Sequence, residues 1–419
     1  MIVNFALHMK RLGVAKNSCV ALETTDMSVG IALSVAVALN GCKWIRLTNE
    51  ALDNELIGVT HIFHQSDFTV VKEGAVICKI DKSWATTPKG IDFSFPEYDP
   101  NAVWMIAQSS GTTGNAKFME ITYEKFQLRI DNNVQQMTEG IKKVAILYTP
   151  LKSTVQYKAL THILQDIPVI MGLQYEDIAK NPGLLVVGSH QQLSGLLRGK
   201  APPPTPYDVE FEPGGSATSK MQVESMLRHC KAVRIGYGAT ETARSTMFKV
   251  RSVDEYDGSA GTPFPDSEIK IENDLVLVRT PRNISSYLGG EPFEWFESGD
   301  IGYIENGKLY VTGRKNEQFN IGGVKIDPNP IDDFIKKIDG VTDCLTFQNT
   351  DLDMREQLSV IVVADRPVDI FTPCISGLGI SRTPKNVYYT AIPRTESGKA
   401  SRKDAMKVVV GVTPVKLAG

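Results

Sequence analysis

Apolar and polar positions along the first half of the chain predict short strands separated by helices. Apolar residues recur at helical spacing over residues 4–12 and fill residues 28–40, and β-branched or apolar runs occupy residues 19–23 and 43–47. A helix between two such runs predicts a β-α-β unit. Further strands are predicted at residues 60–63, 68–71, 75–80, 144–148, 168–170 and 184–187. Because helical patterns, including residues 123–139, lie among these runs, we expect an α/β sheet covered by helices.

The pattern changes in the second half of the chain. Close-set strands, typical of a small barrel or meander, are predicted at residues 268–272, 275–279, 301–305 and 308–312. A third pattern follows, with a helix at residues 331–338 and a strand at residues 357–364. We therefore predict an α/β fold in which residues 1–314 form a large N-terminal domain of helix-covered β-sheets with a small β-barrel-like part. Residues 315–419 are predicted to form a small α+β C-terminal domain.

Composition narrows the possible partners. The chain has 419 residues, 45 lysines and arginines against 48 acidic residues, and 42% hydrophobic content, which is typical of a soluble globular protein. No basic block predicts a nucleic-acid partner, and the longest apolar run, residues 31–39, is too short to span a membrane. Six cysteines without a C-x-x-C pair are typical of reduced thiols. We therefore expect a cytoplasmic protein that binds neither nucleic acid nor membrane.

Small and hydroxylated residues form a cluster between the apolar run 103–107 and the alternating segment 118–122. The cluster consists of Gln108, Ser109, Ser110, Gly111, Thr112, Thr113, Gly114, Asn115, Ala116 and Lys117. Glycines let backbone N–H groups approach an anion, hydroxyls add donors, and Lys117 adds charge. The composition indicates a phosphate-binding loop between two strands, although the spacing is not that of a Walker A loop. A polar hairpin turn is the alternative.

A second cluster places a tyrosine between two glycines, ahead of a hydroxyl and a carboxylate, at Gly236, Tyr237, Gly238, Ala239, Thr240, Glu241 and Thr242. The ring of Tyr237 can stack on a purine, Thr240 can donate to a phosphate oxygen, and Glu241 can hold a Mg²⁺ ion that bridges phosphates. Farther along, Asp300 can accept the hydroxyls of a ribose, and Arg314 can reach a ribose or a phosphate. Each signal is weak alone, since a glutamate is most often a solvated surface residue.

Taken in chain order, these segments resemble the adenylate-forming superfamily, which includes acyl- and aryl-CoA synthetases, peptide-synthetase adenylation domains and firefly luciferase. The resemblance also covers residues 30–47, Gly214, Gly215, Ser216, Ala217, Gly261, Thr262, Pro263, Tyr287, Leu288, Gly398 and Lys399. It implies that the chain activates an acyl or aryl carboxylic acid with ATP and Mg²⁺, forming an acyl-adenylate and releasing pyrophosphate. The acyl group would then pass to a thiol, either CoA or the phosphopantetheine of an acyl or peptidyl carrier protein.

The resemblance also implies a role for each matching residue. Glu241 would bind Mg²⁺ and Thr240 would contact the α-phosphate. Lys399, on a small mobile domain, would stabilise charge at the α-phosphate and the attacking carboxylate. The β- and γ-phosphates would be held by Ser109, Ser110, Gly111, Thr112, Thr113, Gly114 and Lys117. The adenine would be held by Gly215, Ser216, Ala217 and Tyr237, and the ribose by Asp300 and Arg314.

Several positions depart from the family pattern. Asn316 replaces the usual hinge residue, and Asn320 and Gly322 lie where many relatives have Lys and Arg, so the thiol acceptor is less well defined than adenylation. Leu151 lies where amino-acid-activating domains have an Asp, which disfavours an α-amino acid substrate. A segment that larger relatives have before the first β-α-β unit is missing, as in a shortened enzyme or a truncated gene. Two alternatives stay open: transfer of the adenylate to an amine, and a catalytically retired nucleotide-binding regulatory protein.

Overall fold

The structure, a computed structural model, describes residues 1–67, 71–90, 94, 96–110, 116–321, 324–350, 356–395 and 398–417. Its helices are α1 (Ile2–Arg11), α2 (Met27–Leu39), α3 (Asn49–Asp53), α4 (Tyr123–Met137), α5 (Ser153–Leu164), α6 (Tyr175–Ile178), α7 (His190–Leu197), α8 (Lys220–Leu227), α9 (Asn329–Ile335), α10 (Phe371–Leu378) and α11 (Ala405–Val409). Among the described residues, no helix has the length and apolar character needed to cross a membrane.

The strands up to residue 263 are β1 (Cys19–Glu23), β2 (Lys43–Arg46), β3 (Val59–His64), β4 (Val76–Lys79), β5 (Val103–Ser110), β6 (Ala116–Thr122), β7 (Lys143–Ile146), β8 (Val169–Ile170), β9 (Leu184–Ser189), β10 (Tyr207–Gly214), β11 (Cys230–Ile235), β12 (Gly238–Ala239), β13 (Ala243–Arg244), β14 (Thr246–Val250) and β15 (Thr262–Pro263). The later strands are β16 (Glu268–Glu272), β17 (Leu275–Arg279), β18 (Phe296–Glu305), β19 (Lys308–Arg314), β20 (Phe319–Ile321), β21 (Val324–Ile326), β22 (Val341–Thr350), β23 (Glu356–Ala364), β24 (Asn386–Tyr389) and β25 (Val415–Lys416).

The chain forms two compact units. Unit 1 consists of Met1–Gly214, Gln222–Ile269 and Leu277–Phe296, and unit 2 consists of Gly215–Met221, Lys270–Val276 and Glu297–Gly419. The predicted division of the chain into residues 1–314 and 315–419 stays a prediction.

The first sheet of unit 1 has the strand order β4-β3-β1-β2-β5-β6. β1 and β2 are parallel neighbours joined by α2, as the predicted β-α-β unit requires. α2 begins where the side chain of Asp26 accepts hydrogen bonds from the backbone N–H groups of Ser28 and Val29, which caps the helix. The predicted strand at residues 68–71 lies largely outside the described residues, because 68–70 are not described.

The second sheet of unit 1 has the order β15-β14-β11-β10-β9-β7-β8. Its neighbours from β8 through β11 are parallel, and β14 is antiparallel to β11. The carboxyl ends of β7, β9, β10 and β11 therefore meet at one edge of the sheet. In open α/β sheets, ligands bind in the crevice outside this edge.

Unit 2 contains most of the sheet with the sequential order β16-β17-β18-β19, which is the predicted meander. It also contains the sheet β22-β23-β24-β25, with β22 antiparallel and β24 parallel to β23. The core of this part is formed by Ile331 and Ile335 of α9 together with Val360 and Val362 of β23. These layers confirm the predicted α/β fold class.

Candidate active site

The predicted phosphate loop joins two paired strands. β5 and β6 are antiparallel, with Ser109 opposite Lys117 and Ser110 opposite Ala116, so the predicted strand-loop-strand arrangement is confirmed. The remaining loop residues, Gly111, Thr112, Thr113, Gly114 and Asn115, lie outside the described residues, as does the side chain of Ser110. Two side chains of the loop make described contacts: Gln108 Oε1 accepts a hydrogen bond from Thr48 Oγ1 over 3.2 Å, and Lys117 contacts Tyr287.

Tyr287 links the lysine of this loop to the predicted Mg²⁺ ligand. Its hydroxyl donates a hydrogen bond to Glu241 Oε1 over 2.9 Å. The Lys117 ammonium lies 4.8 Å from the centroid of the Tyr287 ring, within the range of a cation–π contact. A backbone bridge between Tyr287 and Met119 of β6 fixes the ring beside this strand. The structure thus brings together two side chains that are 124 positions apart, from Lys117 to Glu241.

The turn that carries Glu241 is held from several sides. The Ile284 backbone N–H donates to the Glu241 carbonyl over 2.9 Å, and Arg129 Nη2 donates to the same oxygen over 3.2 Å. Burial lowers the pKa of Arg129 to about 10. At the start of the turn, the Tyr237 N–H donates to Thr246 Oγ1 over 2.9 Å. The Glu241 side chain, 6% exposed, is therefore fixed by its surroundings.

A single well-oriented carboxylate suits the magnesium that the resemblance implies. Mg²⁺ keeps several waters and usually takes one or two protein carboxylates plus substrate phosphates. Within the described ranges, no group of three or more His, Cys, Asp or Glu residues forms a protein-only metal site. Because Tyr287 occupies Glu241 Oε1, the second carboxylate oxygen is the one suited to a cation bound with nucleotide phosphates.

In unit 2, the two predicted ribose contacts are partners of each other. Asp300 of β18 lies opposite Arg314 of β19, and Arg314 Nε donates to Asp300 Oδ1 over 2.6 Å. The Asp300 backbone N–H donates to Ser298 Oγ over 3.0 Å. Asp300 is thus a buried, oriented carboxylate with an arginine beside it, as a hydroxyl acceptor would require.

Lys399 and Gly215, also in unit 2, lie next to each other. A methyl group added at Gly215 would lie 3.5 Å from Lys399 Cε. The Lys399 N–H donates to Thr395 Oγ1 over 3.2 Å, and the Thr395 N–H donates back to the Lys399 carbonyl over 2.8 Å. The exposed lysine is therefore carried on a closed turn beside the segment predicted to hold adenine. Gly322 and the side chains of Asn316 and Asn320 lie outside the described part of the chain.

Comparisons with known proteins agree with the predicted family. No protein-family model matches the chain. The 2-succinylbenzoate–CoA ligase of Enterococcus faecalis is 28% identical over 189 residues, 40% of this chain and 39% of that protein. The ligase of the same name from Listeria monocytogenes is 23% identical over 423 residues, 93% of this chain and 89% of that protein. The structure of o-succinylbenzoate CoA synthetase from Bacillus subtilis in complex with an acyl-adenylate intermediate has a TM-score of 0.83 at 20% identity, covering 97% of this chain and 91% of the other.

The chain is therefore similar in sequence to CoA ligases, in agreement with the predicted resemblance to the adenylate-forming superfamily. The likeness to the Bacillus structure is one of fold, and it extends over nearly the whole chain. Sequence matches to four curated relatives, by contrast, span only 34% to 43% of the lengths of those proteins.

Neither the superfamily resemblance nor the residue patterns pointed to a buried charge cluster in unit 1. Glu212 Oε1 accepts from Lys158 Nζ at 2.7 Å and from Arg244 Nη2 at 3.0 Å. Burial alone would raise the pKa of Glu212, but Arg244 and Lys158 outweigh it and hold the pKa at about 2. The sequence feature that could have indicated this cluster is a charged residue inside an otherwise apolar run, as with Lys158 in α5 and Glu212 in β10.

Proposed function

We propose that the chain activates a small carboxylic acid with ATP and transfers the acyl group to the thiol of CoA. A carboxylate oxygen attacks the α-phosphorus, the bond from that phosphorus to the bridging oxygen breaks, and pyrophosphate leaves. The thiol then attacks the acyl carbon, and AMP leaves. The observation that supports this function best is the contact of Tyr287 with both Lys117 and Glu241, since it brings together the predicted phosphate-binding cation and the predicted metal-binding carboxylate.

Each predicted site residue has a distinct task in this scheme. Lys117 would neutralise charge on the departing phosphates, and Thr240 would donate to the α-phosphate. Glu241 would hold Mg²⁺, which when bound supplies positive charge to the phosphate oxygens. Lys399 would stabilise the charge that develops where the carboxylate attacks, an interaction worth a few kcal/mol in a water-poor site. Asp300 and Arg314 would fix the ribose.

The relatives support both half-reactions. The Enterococcus and Listeria proteins are named as CoA ligases, which favours CoA as the acceptor. The Bacillus structure contains an acyl-adenylate intermediate, which favours acid activation as the first step. Phosphopantetheine of a carrier protein is the alternative thiol, and we propose a cytoplasmic location, where ATP and CoA are both available.

The test is acid-dependent exchange of labelled pyrophosphate into ATP, run over a panel of carboxylic acids, followed by CoA consumption with each acid that responds. We expect exchange with at least one acid and matching loss of free CoA thiol. Exchange without CoA consumption would redirect the second step to a carrier protein or an amine. Absence of exchange with every acid, in a protein that still binds ATP, would favour a retired nucleotide-binding protein.

A further inference from the structure

The charge cluster of Lys158, Glu212 and Arg244 lies at the edge of the sheet where ligands bind. A methyl group added at Gly236, directly after β11, would lie 2.7 Å from Arg244 Nη1. One added at Gly214, the last residue of β10, would lie 2.8 Å from Tyr148 Oη. The guanidinium and the phenol hydroxyl therefore lie over the carboxyl ends of two neighbouring parallel strands, the place where α/β sheets bind ligands.

This cluster carries more positive than negative charge. Lys158 and Arg244 share one carboxylate, that of Glu212, which its low pKa keeps ionised at neutral pH. The neighbouring carboxylate on β10 cannot offset the excess, because Glu210 is itself shared by Arg234 Nε at 2.5 Å and Lys249 Nζ at 3.0 Å. A buried excess of charge is costly unless an anion accompanies it.

The cluster also has unused hydrogen-bonding capacity. Arg244 Nη1 is buried and has no hydrogen-bond partner among the described residues, and Glu212 Oε2 likewise lacks a donor there. The Glu212 side chain is 1% exposed, so these atoms are not in bulk water. An anionic group can accept from Arg244 Nη1, and a water beside it can donate to Glu212 Oε2. Charge-assisted contacts of this kind are the strong ones.

We propose that Arg244 binds a second negatively charged group on the acid substrate, so that the enzyme prefers dicarboxylic over monocarboxylic acids. This inference rests on the proposed function, because it assigns the acid pocket of that reaction. Lys158 and Glu212 are positioning residues, since Glu212 holds the guanidinium and Lys158 prevents Glu212 from neutralising it completely. A site built around a buried polar group discriminates strongly against an analogue that lacks the matching group.

Calorimetric binding to matched acids tests the proposal without requiring turnover. Succinate is compared with butyrate, and terephthalate with 4-methylbenzoate, on the wild-type protein, Arg244→Met and Arg244→Lys. We expect the better diacid to bind about 30-fold more tightly than its monoacid, a typical effect of one bond to a charged group. Arg244→Met should lose this preference while keeping monoacid affinity, and Arg244→Lys should retain part of it. Arg228→Met, which removes an exposed arginine, controls for net charge.

The outcomes separate this inference from the proposed function. Equal or tighter binding of the monoacids by the wild-type protein, or no diacid binding, overturns the role of Arg244. A parallel loss of both acids in Arg244→Met, with the Arg244→Lys protein folded and equally impaired, also overturns it. Diacid binding without pyrophosphate exchange supports the pocket but contradicts adenylation, whereas exchange with monoacids alone supports adenylation and overturns the pocket.

Discussion

Among single residues, Tyr287 makes the most informative contact, because its ring and its hydroxyl serve different partners. The ring lies under Lys117 and the hydroxyl donates to Glu241. Partners that orient a metal-binding carboxylate typically contribute 10- to 100-fold to metal affinity. We therefore expect Tyr287→Phe to raise the Mg²⁺ concentration for half-maximal pyrophosphate exchange by about 10-fold. The apparent affinity for ATP at saturating Mg²⁺ should change little.

Two further variants make the Tyr287 test specific. Tyr287→Leu, which also removes the ring under Lys117, should weaken ATP binding even at saturating Mg²⁺. Tyr303→Phe removes the hydroxyl of a tyrosine that is 46% exposed in unit 2 and should have no effect. An unchanged Mg²⁺ requirement in Tyr287→Phe would mean that Glu241 does not need this hydroxyl.

Lys399 gives a second prediction at this scale. Because its proposed contact belongs to the transition state, Lys399→Ala should lower the rate of adenylation by on the order of 100-fold while ATP affinity stays nearly intact. Single-turnover formation of the acyl-adenylate and equilibrium ATP binding measure the two quantities separately. Lys403→Ala, which removes an exposed lysine nearby in sequence, is the matched control. A comparable loss of ATP binding in Lys399→Ala would contradict the assigned role.

Residue types gave only weak signals at Lys117 and Glu241, and the resemblance assigned their roles, but neither predicted the contact through Tyr287 that joins them. Glycines and hydroxyls near a lysine, and a carboxylate after Tyr237, are patterns at short sequence spacing that indicate nucleotide binding. Tyr287 and Arg244 take their significance from partners distant in sequence, which only the fold brings close. A buried cluster of this kind leaves no pattern at short spacing, so the sequence did not predict that Lys158, Glu212 and Arg244 meet.

Among the helices and strands, the sequence predicted elements that have one apolar face and missed strands that contain buried charged residues. β16 and β17 have the predicted bounds, and α4 begins at the predicted residue. β10 and β11 were not predicted, because Glu210, Glu212 and Arg234 interrupt their apolar runs. Those charges are tolerated in the sheet since they pair with cations or anions on adjacent elements.

Two glycines near β15 allow a matched test of backbone geometry. Gly261 has a φ of +91°, and a methyl group there would lie 2.4 Å from the Met247 carbonyl. Gly258 has a φ of +86° but open space around it. We expect Gly258→Ala to lower the free energy of unfolding by about 1 kcal/mol, from backbone strain alone. Gly261→Ala should cost about 3 kcal/mol or more, because overpacking adds to the strain.

Denaturant unfolding of the two alanine variants gives the comparison. Equal destabilisation would show that the close approach of Gly261 to the Met247 backbone relaxes without cost. The predicted difference would show why a glycine is needed at position 261. β15 pairs with Thr246 and Met247 of β14, and this pairing holds the Gly261 backbone against the Met247 backbone.

α5 supplies a pH-dependent prediction through His162. The ring is fully buried, its Nδ1 lies 2.6 Å from the Lys158 carbonyl, and Nε2 has no partner among the described residues. Burial lowers the pKa of His162 from its ordinary 6.5 to about 4. Between these values the unfolded chain binds the proton and the folded chain does not, so stability falls as the pH drops from about 6.5 to about 4. The full effect is about 3 kcal/mol.

His162→Gln keeps a donor for the Lys158 carbonyl and removes the titration. We expect its stability to fall less than that of the wild-type protein between pH 7 and pH 4.5, as measured by denaturant unfolding at each pH. His8→Gln, in α1, provides the control for loss of a histidine elsewhere in unit 1. Identical pH slopes for the wild-type protein and His162→Gln would show that His162 does not contribute.

For the whole molecule, the net charge does not reveal the local excess of positive charge at Lys158, Glu212 and Arg244. The formal net charge is −3, which predicts no attraction for an anion, yet the Lys158–Glu212–Arg244 cluster concentrates positive charge at one edge of a sheet. Composition predicts no basic nucleic-acid-binding surface, but it could not reveal a local cationic site. Such sites depend on which charged residues the fold buries together, and the total charge carries no information about that.

Binding of MgATP should be visible in the stability of the protein as a whole. A ligand at 100 times its dissociation constant stabilises the folded state by about 2.7 kcal/mol. We expect saturating MgATP to raise the unfolding temperature by several degrees, with a concentration dependence that follows the dissociation constant.

Asp300→Ala removes the proposed ribose contact and should shift this dependence to higher MgATP concentrations, whereas Asp53→Ala, at an exposed aspartate at the end of α3, should not. Because Asp300→Ala also leaves Arg314 without its partner, each variant is compared with its own ligand-free transition. If the wild-type protein showed no concentration-dependent shift, nucleotide binding itself would be contradicted, independently of which acid is activated.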